Sequence, residues 1–500
     1  MKPKKILVTG ATGYIGGRLV PCLLQEGYDV RCFSRDAERL DGRLWRDQVE
    51  VVEGNALAYD TVLPALEGVD VVYYLIHSLG SGEGEFAHRD RQAADNFGKA
   101  AQEQGVKRIV YLGGIEPKGE KRSEHLRSRL ETGEQLRKWD TPVTEFRAAV
   151  IVGSGSLSFE LIRYLTERVP VMVCPRWVHT PTQPIAVRNV LEYLVEALHV
   201  EESTGKILEI GGQDVLSYGA MFQTYAKVRG LTRYVVNVPF LTPRLSSLWV
   251  GLVTPVTNDI ARPLIRGLDN EVVVTDPTAR ELFSVRPLSY ETAVRLAVRR
   301  FDEDNVETIW HGAYSSSLPY GKAADELKDE EGLIKDRRRR RVNASADTAF
   351  QVIKQIGGEE GWLYANILWK IRGVMDQFIG GHGLRRGRRS ASDVRIGEAI
   401  DFWRVEALKE DQLLRLRAEM KVPGKAWLQF EVCPADGDET RSVVTQTAFF
   451  EPKGLAGLMY WYLFYLPHQW LFPGMLREIA DRAEAAHRRT TASPPPEVVA

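Results

Sequence analysis

Short apolar runs alternate with segments of helical periodicity through the first third of the chain. The runs that we predict as strands are Ile6–Val8, Val30–Phe33, Val49–Val52, Val69–Ile76, Arg108–Leu112 and Val143–Ala149. The stretches that we predict as helices between them include Gly16–Gln25, Asp90–Gln104 and His125–Lys138. Such alternation is typical of βαβ units, which build a parallel sheet. We therefore predict a doubly wound α/β domain over residues 1–150.

The pattern changes twice further along. Mixed α/β periodicity continues through residues 151–325, which we assign to a substrate-side region of the same domain. A charged run then ends in five arginines, Arg337–Arg341, and predicts an exposed boundary or edge. Beyond it, a helical start at Asp347–Ile356, three alternating strand patterns and a long apolar helix predict an α+β domain over residues 336–485. The strand patterns are Gln412–Lys421, Ala426–Val432 and Arg441–Phe450. Residues 486–500 read as a disordered tail.

Bulk composition narrows the class of protein. The 500 residues carry 66 basic and 67 acidic side chains, a net charge of -1, which gives no reason to expect a nucleic acid partner. The four cysteines are scattered without a C-x-x-C pair, so we expect reduced thiols and no metal site. The N-terminus runs directly into a strand without a signal-peptide pattern. These features together predict a cytoplasmic protein.

A glycine-rich turn follows the first strand. The sequence TGATGYIGG places Gly10, Gly13 and Gly16 between a strand and a helix, where pyrophosphate must approach bare backbone. The N–H groups at the start of the helix then face the phosphates. This predicts a Rossmann dinucleotide site, and the residues that we expect to contribute to it here are Thr9, Gly10, Thr12, Gly13, Tyr14, Ile15 and Gly16.

The end of the second strand bears on the choice of cofactor. An acidic residue there usually holds the ribose 2′-hydroxyl of NAD, whereas this chain has Ser34 and Arg35. A guanidinium can bind a 2′-phosphate with two hydrogen bonds, so we predict NADP(H) as the preferred cofactor. Asp36 leaves a second interpretation open, because its carboxylate could serve the ribose instead.

Two later strand ends extend the predicted site. Asn55 and Ala56 close the third strand where the adenine ring would lie. Ile76 and His77 end the fourth strand beside the expected nicotinamide ribose. His77 and Ser78 are second-choice acids or hydrogen-bonding groups there.

Together these residues resemble the atypical short-chain dehydrogenase/reductase superfamily, in its NmrA-like and complex-I-accessory-subunit-like branch. The resemblance rests on TGATGYIGG, on the SRD at the second strand, and more loosely on Phe146–Ser156 and Pro184–Leu198. It covers residues 1 to about 300 and implies NAD(P) binding by a Rossmann fold.

The chain departs from the catalytic pattern of that superfamily, which is Tyr-x-x-x-Lys on a helix with a serine ending the preceding strand. His125 and Arg129 stand at the matching positions, and the strand ends in Leu112–Ile115 without serine. The resemblance implies that His125 could act as the acid and that Arg129 could hydrogen-bond the nicotinamide ribose, although arginine cannot shuttle protons. The alternative is that both are structural residues of a domain that binds cofactor without ordinary carbonyl chemistry.

The C-terminal pattern resembles the helix-grip fold of START and polyketide-cyclase-like domains, which implies an apolar ligand cavity. Phe378–Ser390, rich in glycine and arginine, could bind phosphate or lipid headgroups or form a solvated β-turn region. The uncharged stretch 454–476 contains Pro467 and Pro473, which we expect to break a spanning helix. It could be the grip helix or a peripheral contact with the inner face of a membrane. The uncharged segment Leu245–Asn258 could join such a surface or cap the substrate pocket.

Three hypotheses of function follow. The first is an NADP(H)-dependent reductase of a small apolar substrate, quinone-like or isoprenoid-like. The second is a non-catalytic NADP(H) sensor or accessory protein, favoured by the missing tyrosine and lysine. The third is a lipid-binding protein with a relic cofactor site.

Overall fold

The computed structural model divides the chain into two units, Met1–Pro319 and Tyr320–Ala500. It describes residues 4–40, 43–77, 85–117, 124–237, 265, 267–302, 334–435, 438–452 and 454–492. Ser78 and the segment Leu245–Asn258 lie outside the described residues.

Thirteen strands and nine helices are described in the first unit. The strands are β1 (Lys5–Thr9), β2 (Asp29–Ser34), β3 (Glu50–Glu53), β4 (Val71–Tyr74), β5 (Arg108–Gly114), β6 (Val143–Ala148), β7 (Ile151–Val152), β8 (Val171–Cys174), β9 (Pro181–Thr182), β10 (Ile185–Ala186), β11 (Ile207–Ile210), β12 (Leu216–Ser217) and β13 (Tyr234–Asn237). The helices are α1 (Gly16–Gln25), α2 (Tyr59–Ala65), α3 (Glu85–Glu103), α4 (Glu124–Leu136), α5 (Leu157–Arg168), α6 (Val187–Glu196), α7 (Tyr218–Val228), α8 (Thr278–Leu282) and α9 (Tyr290–Asp302).

Seven of these strands form one parallel sheet in the order β3-β2-β1-β4-β5-β6-β11. The sheet buries an apolar cluster on each face, as expected for a sheet with helices on both sides. Strand order reverses between β1 and β4, and ligands of such sheets bind at that point, beyond the carboxyl ends of the strands. The predicted doubly wound α/β fold is confirmed.

A third apolar cluster lies beside the sheet, around α5, α7 and α9. Phe159, Ile162, Phe222 and Tyr225 are among its buried members. These elements come from the region assigned to the substrate side, and they belong to the same unit as the sheet.

The second unit is built on an antiparallel sheet of six strands, which lie in the order β14-β19-β18-β17-β16-β15. The strands are β14 (Ile334–Val342), β15 (Ala399–Ile400), β16 (Trp403–Lys409), β17 (Leu413–Ala418), β18 (Gly424–Ala435) and β19 (Asp438–Pro452). The α-helices described here are Ala346–Lys354, Asn366–Phe378 and Gly454–Ala492. Their apolar faces and one face of the sheet share a single core.

One expectation for this unit is confirmed and one is corrected. The run Arg337–Arg341, predicted as an exposed boundary or edge, lies in β14, the outer strand of the sheet, with four of its five arginines exposed. Pro467 and Pro473 do not break the last helix, which continues for 39 residues. A proline inside a helix costs about 3 kcal/mol. Burial of neighbouring side chains such as Phe472, Met475 and Ile479 offsets that cost.

Within the segment Phe378–Ser390, Phe378 is exposed, but two of the arginines are buried in ion pairs and are not open to an anion. Arg386 is buried in an ion pair with Glu419. Arg389 is buried as well and pairs with Glu398 and Asp393. Their guanidinium groups are engaged within the fold.

None of the helices in the described part of the chain is long and apolar enough to cross a membrane.

Candidate functional site

A cavity of about 520 Å³ lies at the carboxyl edge of the parallel sheet. Most of the predicted site residues line it, and these are Gly10, Thr12, Gly13, Tyr14, Ile15, Gly16, Ser34, Arg35, Asn55, Ala56, Ile76, His77 and Arg129. The fold therefore brings together side chains from four separate strand ends.

The glycine turn has the backbone geometry that close approach of a phosphate requires. Gly10 adopts a φ of +66°, and a Cβ atom there would lie 2.7 Å from the carbonyl oxygen of Leu75. At Gly16 a Cβ would lie 2.3 Å from the carbonyl oxygen of Gly10. Helix α1 begins directly behind this turn without a side-chain cap at Ile15, and the N–H groups of Gly17 and Arg18 donate to the carbonyls of Gly13 and Ile15. The positive end of the helix dipole favours an anion such as a diphosphate at this turn.

Three arginines line the cavity beyond β2. Arg35 follows the strand, Arg39 lies in the short 3₁₀-helix Ala37–Leu40, and Arg89 comes from α3. The pKa of Arg35 is lowered, first by desolvation at the cavity wall and then by the positive charge of Arg89. Positive charges that repel one another in this way form a site for an anion such as a phosphate.

Two residues that the sequence associated with the site, Thr9 and Asp36, are not among those that line the cavity. Thr9 is fully buried, and its hydroxyl donates to the carbonyl of Tyr73 at 3.0 Å and accepts from the N–H of Leu75 at 2.9 Å. Its side chain therefore holds β1 against β4. Asp36 is not among the cavity-lining residues, and its carbonyl accepts a hydrogen bond from Ser34 at 2.8 Å.

A buried hydrogen-bonded group lies at the nicotinamide end predicted from the sequence. His77 Nδ1 is 3.0 Å from Asp90 Oδ2, and the hydroxyl of Ser128 donates to the same oxygen at 3.2 Å. Asp90 and Ser128 are almost completely buried. Burial lowers the pKa of His77, although the hydrogen bond to Asp90 opposes that effect. The ring is therefore neutral near pH 7, with Nδ1–H donated to the carboxylate.

Arg129 is held at the cavity wall by two contacts. Its guanidinium donates to the carbonyl of Leu112 and lies over the ring of Tyr111, with 5.0 Å between the guanidinium carbon and the ring centre. The other predicted catalytic residue, His125, lies in the first turn of α4. Its side chain lies outside the described part of the structure.

The remainder of the cavity is largely apolar, with Ser156 and Ser158 as polar members of its lining. Its wall there is formed by residues of α5 and α7 and by the chain between them and after them, namely Leu157, Leu161, Ile162, Leu165, Trp177, Tyr218, Phe222, Ile265, Leu268 and Val272. Burial raises the pKa of Tyr218 to about 12, so its phenol is neutral at physiological pH. One space thus joins a polar, phosphate-compatible end to an apolar chamber.

Sequence reasoning missed Arg39, Arg89, Asp90 and Ser128 as members of this site. All four lie on helical segments with ordinary polar periodicity, so their sequence gives no local signal. The packing of α3 and α4 beside the strand ends brings Arg89, Asp90 and Ser128 to the site, whereas Arg39 lies in the short 3₁₀-helix that follows Arg35.

Two family models match the chain. Residues 10–140 match a model described as NAD(P)H-binding. Residues 331–475 match a model described as a protein of unknown function, DUF2867.

Several curated proteins are similar to part of the chain. The 3 beta-hydroxysteroid dehydrogenase/Delta 5-->4-isomerase of Mycobacterium tuberculosis is 33% identical over 116 residues, which are 21% of this chain and 30% of that protein. Sterol demethylase protein B of Methylococcus capsulatus is 27% identical over 205 residues, covering 37% of this chain and 56% of that protein. The chain thus spans about a third to about half of the length of these two relatives. The photosystem II assembly factor Ycf39 of Trieres chinensis is 22% identical over 247 residues, 49% of this chain and 76% of that factor.

Among solved structures, triphenylmethane reductase of Citrobacter complexed with NADP(H) shares 20% identity with a TM-score of 0.48, covering 58% of this chain and 99% of the reductase. The strand order, the glycine turn and the match over residues 10–140 agree with one another. The N-terminal unit of this chain has a Rossmann fold, and its residues 10–140 are similar to the NAD(P)H-binding family.

Proposed function

We propose that this protein is an NADP(H)-dependent oxidoreductase that acts on a small apolar substrate, quinone-like or isoprenoid-like. The observation that carries the proposal is the continuity of the cavity. Its phosphate-compatible turn and its apolar chamber share one space, so a bound nicotinamide and an apolar molecule can meet there.

Specificity for the phosphorylated cofactor rests on the arginines. Arg35, Arg39 and Arg89 supply three positive charges where the 2′-phosphate of NADP(H) would lie, and Asp36 is not among the lining residues. A hydrogen bond to a charged group contributes about 1.5–3 kcal/mol. One such contact made only with NADP(H) corresponds to a roughly tenfold to hundredfold preference over NAD(H).

The chemistry that the cofactor supplies when bound is hydride transfer to the substrate. The chain supplies the accompanying proton and the surroundings. His77, held by Asp90, is the cavity-lining histidine among the described residues. When its second ring nitrogen is also protonated, the imidazolium can pass that proton to a substrate oxygen, and the fraction of this form rises as pH falls. Leu161, Phe222 and their apolar neighbours exclude water and orient the substrate. Arg129 is proposed to bind the nicotinamide ribose, and His125 remains a second proposed acid.

For the C-terminal unit we propose a helix-grip architecture that holds or delivers an apolar ligand. Its support is the six-stranded antiparallel sheet with a 39-residue helix packed on the same core.

The test is a turnover assay on the purified full chain. NADPH oxidation is followed with a panel of quinones and apolar ketones, with NADH in parallel. Saturable turnover that prefers NADPH and rises with the apolar character of the acceptor supports the proposal. Tight NADPH binding without turnover of any acceptor contradicts it.

That second outcome would favour an accessory or sensor protein. The observation in favour of this candidate is that α4 carries no Tyr-x-x-x-Lys, while Arg129 at the lysine position is engaged with Leu112 and Tyr111. The similarity to an assembly factor over 49% of this chain agrees with it. In that case NADPH would alter the binding of a protein partner, which pull-down experiments with and without the cofactor would detect.

A further inference from the structure

Exposed apolar side chains of the C-terminal unit are concentrated on two helices. On Asn366–Phe378 and just beyond it they are Ile367, Ile371, Val374, Met375, Phe378 and Ile379, of which Phe378 is 84% exposed. On the first half of Gly454–Ala492 they include Met459, Tyr462, Leu463, Leu466 and Trp470, of which Leu466 is 77% exposed. Soluble monomers rarely leave so many large apolar side chains together in water.

Two contacts bring the two helices together. The guanidinium of Arg372 donates to the hydroxyl of Tyr460 at 3.4 Å. The ring of Tyr364, just before the first helix, lies 5.1 Å from the ring of Trp470. We call the combined surface the two-helix face. The first of its helices was missed by sequence reasoning, because its solvent side is as apolar as its core side.

Two exposed lysines lie at the two-helix face. Lys370 is exposed among the apolar residues of the first helix, and Lys421 is exposed beside it, with its carbonyl bound by Arg372. Asp376, the acidic residue of the first helix, is fully buried and accepts hydrogen bonds from the N–H groups of Gly383 and Lys421. The stretch 454–476 carries no charged residue.

We infer that the two-helix face is the surface by which this protein binds an anionic lipid bilayer. Its lysines complement acidic headgroups, and its aliphatic side chains replace water by acyl chains. Tyr462 and Trp470 have the amphipathic rings that favour the headgroup level. In this inference both helices lie along the bilayer plane, with their exposed apolar side chains toward the acyl chains. This inference does not depend on the proposed oxidoreductase activity.

The test uses the full chain and two kinds of vesicle, pure phosphatidylcholine and phosphatidylcholine with about a third phosphatidylglycerol. The wild type is expected to float with the anionic vesicles and to be released in part by high salt. Phe378→Gln and Leu466→Gln should each weaken binding about tenfold or more, since each removes one fully inserted apolar group. Lys370→Gln should weaken binding to anionic vesicles alone.

A matched control is Leu44→Gln, which alters a leucine that is 93% exposed in the N-terminal unit. It should leave vesicle binding unchanged, and unfolding midpoints of all variants should match the wild type. The inference is overturned if the wild type fails to float with either vesicle. It is also overturned if sedimentation velocity shows a dimer that Phe378→Gln and Leu466→Gln dissociate, because the face would then join two copies of the chain.

Discussion

Oδ2 of Asp90 lies 3.0 Å from Nδ1 of His77, and the hydroxyl of Ser128 donates a hydrogen bond to the same carboxylate oxygen. His77 follows β4, Asp90 lies on α3 and Ser128 lies on α4. These hydrogen bonds therefore join three elements at the cavity wall. An imidazole oriented in this way by a carboxylate has the arrangement of a general acid or base.

Substitution of this pair should separate catalysis from cofactor binding. His77→Gln is expected to lower kcat by a factor of roughly 10² to 10⁴, the usual contribution of a positioned acid, with little change in the Kd for NADPH. Asp90→Asn should lower kcat as well and move the limb of the pH profile to lower pH, since Asp90 raises the pKa of His77. In the wild type the reduction rate should fall as pH rises through a pKa below 6.5. Unchanged turnover in His77→Gln would exclude His77 as the acid.

The arginines beyond β2 should determine the choice of cofactor. Arg35→Ala and Arg89→Ala are each expected to weaken NADPH binding roughly tenfold to hundredfold and to leave NADH binding unchanged. Calorimetric titration with both cofactors measures this. Arg127→Ala, on the exposed side of α4 with Glu131, is the control and should change neither affinity. Equal losses for NADPH and NADH would contradict a 2′-phosphate site.

Closing the glycine turn should abolish binding of either cofactor. Gly16→Ala places a methyl group 2.3 Å from the carbonyl of Gly10 and so displaces the turn. Gly98→Ala provides a matched control, because its Cβ would lie 2.2 Å from the Trp139 ring, and neither residue is among those lining the cavity. Both variants should lower the thermal midpoint, but only Gly16→Ala should lose NADPH. Retained NADPH affinity in Gly16→Ala would contradict the phosphate assignment.

His468 should make the C-terminal unit sensitive to acid. Burial lowers its pKa to about 4, while Asp336 raises it and Arg338 lowers it. The unfolded chain, with a histidine pKa near 6.5, binds the proton more tightly, so stability falls as pH decreases from about 6.5 to 4 and is unaffected above that range. The loss should be about 2 kcal/mol at pH 5.

His468→Phe removes this titration and keeps an aromatic ring stacked on Phe472. In the wild type the ring centres of His468 and Phe472 are 4.7 Å apart. Urea unfolding followed by tryptophan fluorescence at pH 7.5 and pH 5 should show a smaller acid loss for the variant than for the wild type. An identical loss of stability in the variant and the wild type would show that another group is titrating.

A buried ion-pair cluster should be costly to break. Burial raises the pKa of Glu419, but Arg404 and Arg386 outweigh it and hold the pKa well below its usual value. Glu419→Gln leaves both arginines buried without their counter-charge and should cost about 3–5 kcal/mol. Glu451→Gln, which breaks an exposed pair with Lys425, should cost at most about 1 kcal/mol. Comparable unfolding midpoints for the two variants would contradict this difference.

Local signals were sufficient for the sheet and for the phosphate turn. The helix α1 was predicted over the same residues that it occupies, because a glycine turn and an apolar face mark its beginning and its extent. Arg35 was found in the same way, from its place directly after a strand. Such features depend on neighbours in sequence.

Features that depend on distant contacts were not predictable. Arg386 and Arg389 read as an exposed basic loop, and only their pairing with Glu419 and Glu398 shows why they are buried. The last helix continues through Pro467 because packing elsewhere along it offsets the lost hydrogen bond. Thr9 is a similar case, since its partner strand β4 decides where its hydroxyl points.

The arginine-rich strand β14 has a consequence for how copies of this protein behave in solution. An outer strand offers unsatisfied backbone groups to which another chain can add, the first step of many aggregates. If β14 of a second copy paired with this strand, its guanidinium groups would approach those of the first copy. Arg339 and Arg341, both exposed, would be among them. Repulsion between them should hinder such pairing at low ionic strength. Salt screens this repulsion, so the turbidity of concentrated solutions should increase with ionic strength.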